Sequence, residues 1–123
     1  MKLKLQGNSI RLQLTRSEVA RFAHCGRLEE AYQYGPSPEQ RLSYGIESAE
    51  TDSICVRVNQ PGICVVLPKQ VAKEWASSER VGVSGEIQHP DGSRVDVLVE
   101  KEFRRMHGGK DDPDLYPNPL ERS

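Results

Sequence analysis

Apolar and polar side chains alternate from the first residues onward: Leu3, Leu5, Ile10, Leu12 and Leu14 flank Gly7-Asn8 at every second position. Alternation of period two marks a half-buried strand, and Gly-Asn suits the positive φ angles of a tight hairpin turn. The segment predicts two antiparallel strands, with Leu5 opposite Ile10 and Leu3 opposite Leu12 on one surface. Lys2, Lys4, Arg11 and Gln13 are left on the other. Thr15-Arg16-Ser17-Glu18 then has the form of a capping box, in which the Thr hydroxyl accepts the Glu18 amide hydrogen and the Glu carboxylate reaches back. A short helix over about residues 16–25 is expected, with Leu14 and Val19 as a hydrophobic staple and Phe22 and Ala23 on its buried stripe. Gly26 can end it in a left-handed conformation.

Further along, Tyr32 and Tyr34, then Leu42, Tyr44 and Ile46, recur at period two around Gly35-Pro36-Ser37-Pro38, which predicts strands over 28–34 and 41–47. Residues 47–53 form a polar connector. Val56 and Val58, then Ile63, Val65 and Leu67, flank Pro61-Gly62 as a further hairpin, and Pro68 can open a helix running through Trp75 and Ala76. The last pair, 81–87 and 93–103, surrounds His89-Pro90-Asp91-Gly92. A three-residue loop with Gly92 left-handed sets Ile87 opposite Val95 and Val83 opposite Val99, whereas a two-residue loop would set Ile87 against Asp96.

The order strand, strand, helix, strand, strand thus occurs twice. Shifting the chain on itself by 53 residues puts Leu3 on Val56, Ile10 on Ile63, Leu14 on Leu67, Phe22 on Trp75 and Glu47 on Glu100. The alternative is two unrelated segments that share an alternating pattern; a duplication is the reading adopted. The expected fold class is α+β and rich in strands: two tandem β-β-α-β-β repeats, about 1–50 and 54–103, forming one pseudo-twofold antiparallel sheet or barrel with two short helices. Residues 1–106 make a single domain, and 107–123 an extended polar tail.

Length and composition narrow the class further. A chain of 123 residues is below the size at which domains usually split. Every apolar run falls far short of the ~20 residues that cross a bilayer, and the opening Met1-Lys2-Leu3-Lys4-Leu5-Gln6 does not build the apolar block of a secretory signal. A cytoplasmic location is expected, with no membrane partner. Cys25, Cys55 and Cys64 are too few for a disulfide framework and are read as reduced thiols. With 17 basic and 18 acidic residues, no global field attracts nucleic acid, so such a partner would need a local patch.

The stretch Ile63-Cys64-Val65-Val66-Leu67-Pro68-Lys69-Gln70-Val71-Ala72-Lys73, with Glu79-Arg80-Val81-Gly82-Val83 after it, resembles the swapped-hairpin domains of AbrB-type transition regulators and MazE-type antitoxins. The likeness covers about 40 residues; the first half repeats its shape with Thr15-Arg16 in place of Pro-Lys. In those families two copies interleave into a small barrel, so the resemblance implies a pseudo-symmetric intramolecular version and contact with DNA. The whole chain also resembles a small bacterial family of unknown function, through Gly7-Asn8-Ser9-Ile10-Arg11-Leu12, Val99-Glu100-Lys101-Glu102-Phe103 and Tyr116-Pro117-Asn118-Pro119. That resemblance implies no activity.

Two surfaces carry candidate chemistry. Lys4 directly opposite Arg11 is a like-charge pair, so Lys2, Lys4, Arg11 and Arg16 form a candidate anion or nucleic-acid patch. The competing reading is a solvated face partly neutralised by Glu29 or Glu30. The equivalent positions of the second hairpin are Cys55, Arg57, Cys64 and Val66, which would leave one arm of a symmetric DNA reader missing. Cys64 and Val66 make that face partly apolar, and such faces are usually covered. The cover is either the tail, anchored by Leu115 and Tyr116, or another subunit, so monomer and homodimer both stay open. With Pro61-Gly62 as the loop, Cys64 faces Asn59, ~13 Å along the strand from Cys55 and beyond disulfide reach.

No metal site is expected; His107 with Asp111, Asp112 and Asp114 comes nearest, while His24 and Cys25 are adjacent and diverge on a helix. No nucleophile elbow, phosphate loop or spaced carboxylate pair appears, so no catalytic or cofactor-binding residue is assigned. Trp75 and the tyrosines are read as core. The leading expectation is a non-catalytic binding module that engages a protein partner or its own tail. Alternatives are an AbrB/MazE-like DNA-binding regulator or antitoxin-like protein, and an enzyme whose site the sequence does not display.

Overall fold

The computed structural model describes residues 1–59, 62–103 and 112–117. Gly7, at φ 56°, closes the first hairpin, formed by β1 (Lys2–Gln6) and β2 (Ser9–Leu14). Asn8 stays out of the left-handed region, and its side-chain amide donates to the Arg94 carbonyl at 2.9 Å. The pairing is Leu3 with Leu12, Lys4 with Arg11 and Leu5 with Ile10, as the alternation requires. Helix α1 (Arg16–Cys25) carries the full capping box: the Glu18 amide donates to Thr15 Oγ1 and the Thr15 amide to Glu18 Oε1 at 2.9 Å. Gly26, at φ 74°, ends it by donating to the Phe22 carbonyl.

The chain continues through β3 (Arg27–Gln33), β4 (Arg41–Ala49), β5 (Cys55–Asn59), β6 (Gly62–Pro68), α2 (Lys69–Ser77), β7 (Gly82–Gln88) and β8 (Arg94–Lys101). Gly92 takes φ 89°, and Ile87 faces Val95 and Val83 faces Val99, so the three-residue loop register holds. Two expectations need correction. The strands form two open four-stranded sheets, ordered β1-β2-β8-β7 and β3-β4-β6-β5, rather than one antiparallel sheet or barrel. Each helix carries the chain from one sheet to the other, so the inner strand of each hairpin meets an inner strand from the other half. β2 and β8 run parallel, as do β4 and β6. The strands outside these pairs remain edges, and neither sheet closes.

The hairpin of β5 and β6 also has a different register from the expected one. Cys64 pairs with Arg57, not Asn59, and Asn59 pairs with Gly62. Gly62 belongs to β6 because the seam with β4 needs it: a Cβ there would lie 2.6 Å from the Ser43 carbonyl oxygen. Both registers turn the same valines inward, so alternation alone cannot separate them. Cys55 and Cys64 are nearer along the sheet than expected and remain free thiols.

Both sheets and both helices contribute to one core, with Leu12, Leu14, Phe22, Ile46, Val65, Leu67, Trp75 and Val99 at its centre. Phe22 and Trp75 meet where the helices touch, ring centroids 6.2 Å apart and tilted by 58°, a favoured aromatic geometry. The fully buried Trp75 keeps its indole N–H satisfied by donating to the Val81 carbonyl at 3.1 Å. Tyr44 packs against the core, but Tyr32 and Tyr34 are exposed, contrary to the core reading of all the tyrosines. Tyr32 lies toward the far end of edge strand β3 and Tyr34 just past it; Leu28 is the buried residue of that strand. Among the described residues, no helix is long and apolar enough to cross a membrane.

Candidate binding cleft at the C-terminal segment

On the outer face of β1 and β2, Lys2 and Arg11 are met by carboxylates at and just past the end of β8, far away in sequence. Lys2 pairs with Glu102, and Arg11 pairs with Glu100, its Nε donating at 2.6 Å; Gln13 donates to the same carboxylate at 2.6 Å. Glu29 and Glu30, the neutralisers expected from sequence, sit on the other sheet. Glu29 takes Arg27 at 2.7 Å, and Glu30 takes the Met1 ammonium at 3.1 Å. Lys4 lies across from Arg11 and is exposed. Arg16 stands apart from these three, on α1, with its guanidinium carbon 5.6 Å from the centre of the Tyr116 ring.

The outer face of β5 and β6 is closed differently. Arg57 on β5 and Glu47 on β4 form an ion pair at 2.5 Å, and β6 lies between those strands. The pair therefore spans β6 where Cys64 and Val66 point outward, and Val66 is only 1 % exposed. Burial pushes the Cys64 thiol above its ordinary value and Glu47 adds to this, against Arg57 and Arg27. A thiol so placed is a poor nucleophile. The structure does not bring Leu115 and Tyr116 to this face.

Residues 112–117 instead sit at the start of α1 and the end of β8. The Arg16 amide donates to the Asp114 carbonyl at 2.8 Å, and Ser17 donates to the Asp114 carboxylate through its amide at 2.9 Å and its hydroxyl at 2.6 Å. Asp114 thus satisfies orphan donors of the first helical turn, where a negative charge is also favoured. The Ser17 bonds hold its carboxyl below the ordinary range. Two residues on, the Tyr116 amide donates to the Glu102 carbonyl at 2.9 Å, forming a parallel bridge with Phe103, and the two rings lie 5.8 Å apart. Burial raises the Tyr116 phenol above its ordinary value, with Asp114 adding and Arg16 opposing. Leu115 is half-buried, and its amide donates to the Asp112 carbonyl.

Beside Tyr116 lies a cleft of about 260 Å³ whose lining includes Arg16, Ser78, Lys101, Phe103 and Tyr116. Lys101 is only 4 % exposed; its ammonium donates to the Ser78 carbonyl at 2.7 Å and stands 5.9 Å from the Trp75 ring and 5.5 Å from that of Tyr116. Burial lowers its pKa, with Glu79 acting the other way. Lys101 is not among the candidates the motifs single out, yet the alternation along β8 carries a signal. Val95, Val97 and Val99 alternate inward along β8, and the next inward position is Lys101.

Of the acidic and histidine residues weighed for a metal, His107 and Asp111 lie outside the described residues, Asp112 is exposed and Asp114 is engaged by Ser17. His24 is exposed. Residues 1–120 match the model of the Family of unknown function (DUF7009). The chain belongs to that family. The DUF7009 match runs past Pro117, so the segment seated on α1 lies inside the family's unit together with both sheets. No curated protein and no solved structure matches the chain.

Proposed function

We propose that the protein is a non-catalytic binding module whose cleft at the start of α1 receives a short acidic and aromatic peptide segment, here its own residues 112–117. The observation that carries this reading is the two-point seating of that segment, with Asp114 accepting from the Arg16 amide through its carbonyl and from Ser17 through its carboxylate, and the Arg16 and Lys101 cations 5.6 and 5.5 Å from the centre of the Tyr116 ring. A tethered segment competes at high effective concentration, so an external peptide binds best when the internal copy is weakened. The test uses the full chain with Asp114→Ala and Tyr116→Ala and a fluorescent peptide spanning residues 112–117. The expected result is saturable binding at least about tenfold tighter than to the unmodified chain. Equal binding to both proteins, or none to either, overturns the reading.

The frame of this module is also read as two copies of one β-β-α-β-β unit with exchanged hairpins, the arrangement implied by the AbrB/MazE resemblance. Support comes from the registers. In one parallel seam Ser9 meets Asp96 and Leu14 meets Lys101; in the other Gly62 meets Ser43 and Leu67 meets Ser48. Each residue of the first seam has its counterpart 53 positions away in the second. The outer hairpins differ by a two-residue step after α2, since Leu28 meets Ile46 while Val83 meets Val99. A chain of residues 1–53 alone is expected to pair with a second copy of itself, giving a β-rich dimer in sedimentation and circular dichroism. An unfolded or folded monomeric half would speak against duplication.

A further inference from the structure

We propose that the cleft beside Tyr116 is a binding site for a small organic anion with one carboxylate or phosphate group and a flat apolar body. The inference rests on the seating of residues 112–117, because Tyr116 and Pro117 form part of the cleft wall. Lys101 supplies the main argument. Burying an ammonium costs several kcal/mol unless it is paired and hydrogen-bonded, and this side chain is 4 % exposed. It has three N–H donors. Among the described residues it donates to one neutral carbonyl, that of Ser78, and meets the faces of Trp75 and Tyr116, with Glu79 acting on its charge. Aromatic faces attract a cation but carry no full negative charge.

The charges on the cleft lining point the same way. Arg16 and Lys101 are both on it, and among the described residues Glu79 is the one carboxylate there. Among the described residues, two cations against one carboxylate leave the lining net positive. Asp114, the other carboxylate near Arg16, is held by Ser17 and does not line the cleft. Arg16 brings the planar fork that suits a carboxylate or phosphate, while Val81, Phe103, Tyr116 and Pro117 supply apolar wall. The volume, about 260 Å³, lies just below the ~300–1,000 Å³ of most small-molecule sites. It favours a ligand of one ring over a nucleotide.

Benzoate, phenyl phosphate and neutral benzamide, titrated into the full-length protein, test the site, read through the NMR signal of the Trp75 indole N–H. One of the two anions is expected to saturate with a Kd of about 1 mM, and benzamide to bind at least about tenfold more weakly. Which anion binds tighter decides between carboxylate and phosphate. Lys101→Met and Arg16→Gln are each expected to weaken the anion about tenfold; if Lys101→Met does not fold, Arg16→Gln decides. Equal binding of benzamide, no saturation by either anion, or unchanged affinity in the folded variants overturns the proposal. Hydrogen exchange of the Tyr116 amide separates this failure from that of the peptide reading. A protected amide with no anion binding removes only the anion site, whereas an unprotected amide removes the docked segment itself.

Discussion

The two helices occupy comparable places in the chain, each between two hairpins, but they are held by different physics. α1 is fixed at its ends. Thr15 and Glu18 exchange hydrogen bonds at the start, Asp114 adds a carboxylate to the same turn, and Gly26 closes the other end. α2 has no side-chain cap at Pro68, and its final residue gives way to extended backbone at Ser78. What holds it is Trp75, fully buried against Phe22, and Lys101, which reaches across from β8 to take the Ser78 carbonyl. A helix lacking local stop signals is held in place when tertiary contacts supply them.

Of the changes that tell the two helices apart, Trp75→Ala is expected to have the largest effect. Removing a fully buried indole should destabilise the fold by about 3–5 kcal/mol, read as a lower urea midpoint by circular dichroism, since the lone tryptophan is lost. A loss near the ~1 kcal/mol typical of a helix cap would mean that α2 is not held by its core face.

A smaller effect, about 1.5–3 kcal/mol, is expected from Glu18→Gln. This change keeps a capping-box acceptor at the third helical position but removes the charge that meets the Met1 ammonium. Burial works to raise the Glu18 pKa, yet bonds from the Met1 ammonium and the Thr15 amide leave it below the ordinary value. Its contribution is therefore present above the ordinary glutamate range and lost as pH falls through the depressed value. Burial works to lower the Met1 amine, but Glu18 and Glu30 leave it raised, so its share is present below the ordinary amine range and lost as pH climbs through the raised value. Native and variant stability should thus differ most near neutrality and converge in strong acid. A gap independent of pH would assign the loss to packing.

Much of the site was invisible in sequence because its parts come from four places. Arg16, Asp114 and Tyr116 could each be singled out by type, but nothing local links a helix start to a segment nearly a hundred residues later. The basic face of the first hairpin was legible as a pattern, whereas the carboxylates that neutralise it, Glu100 and Glu102, are set opposite by the parallel seam between β2 and β8. Cys64 and Val66 read as an open apolar face because the Arg57–Glu47 pair over β6 requires knowing that β4 and β5 flank it.

By itself, the sequence determined what short-range physics governs: period-two strands, the Gly7 and Gly92 turns, the capping box of α1 and its Gly26 stop. Tertiary structure alone decided which hairpins share a sheet, that the inner strands run parallel, where the β5–β6 turn falls, and that Lys101 faces a cleft. Local propensity and alternation fix which face of an element is apolar, and several arrangements bury the same faces. Only the simultaneous closure of two seams and one core selects among them.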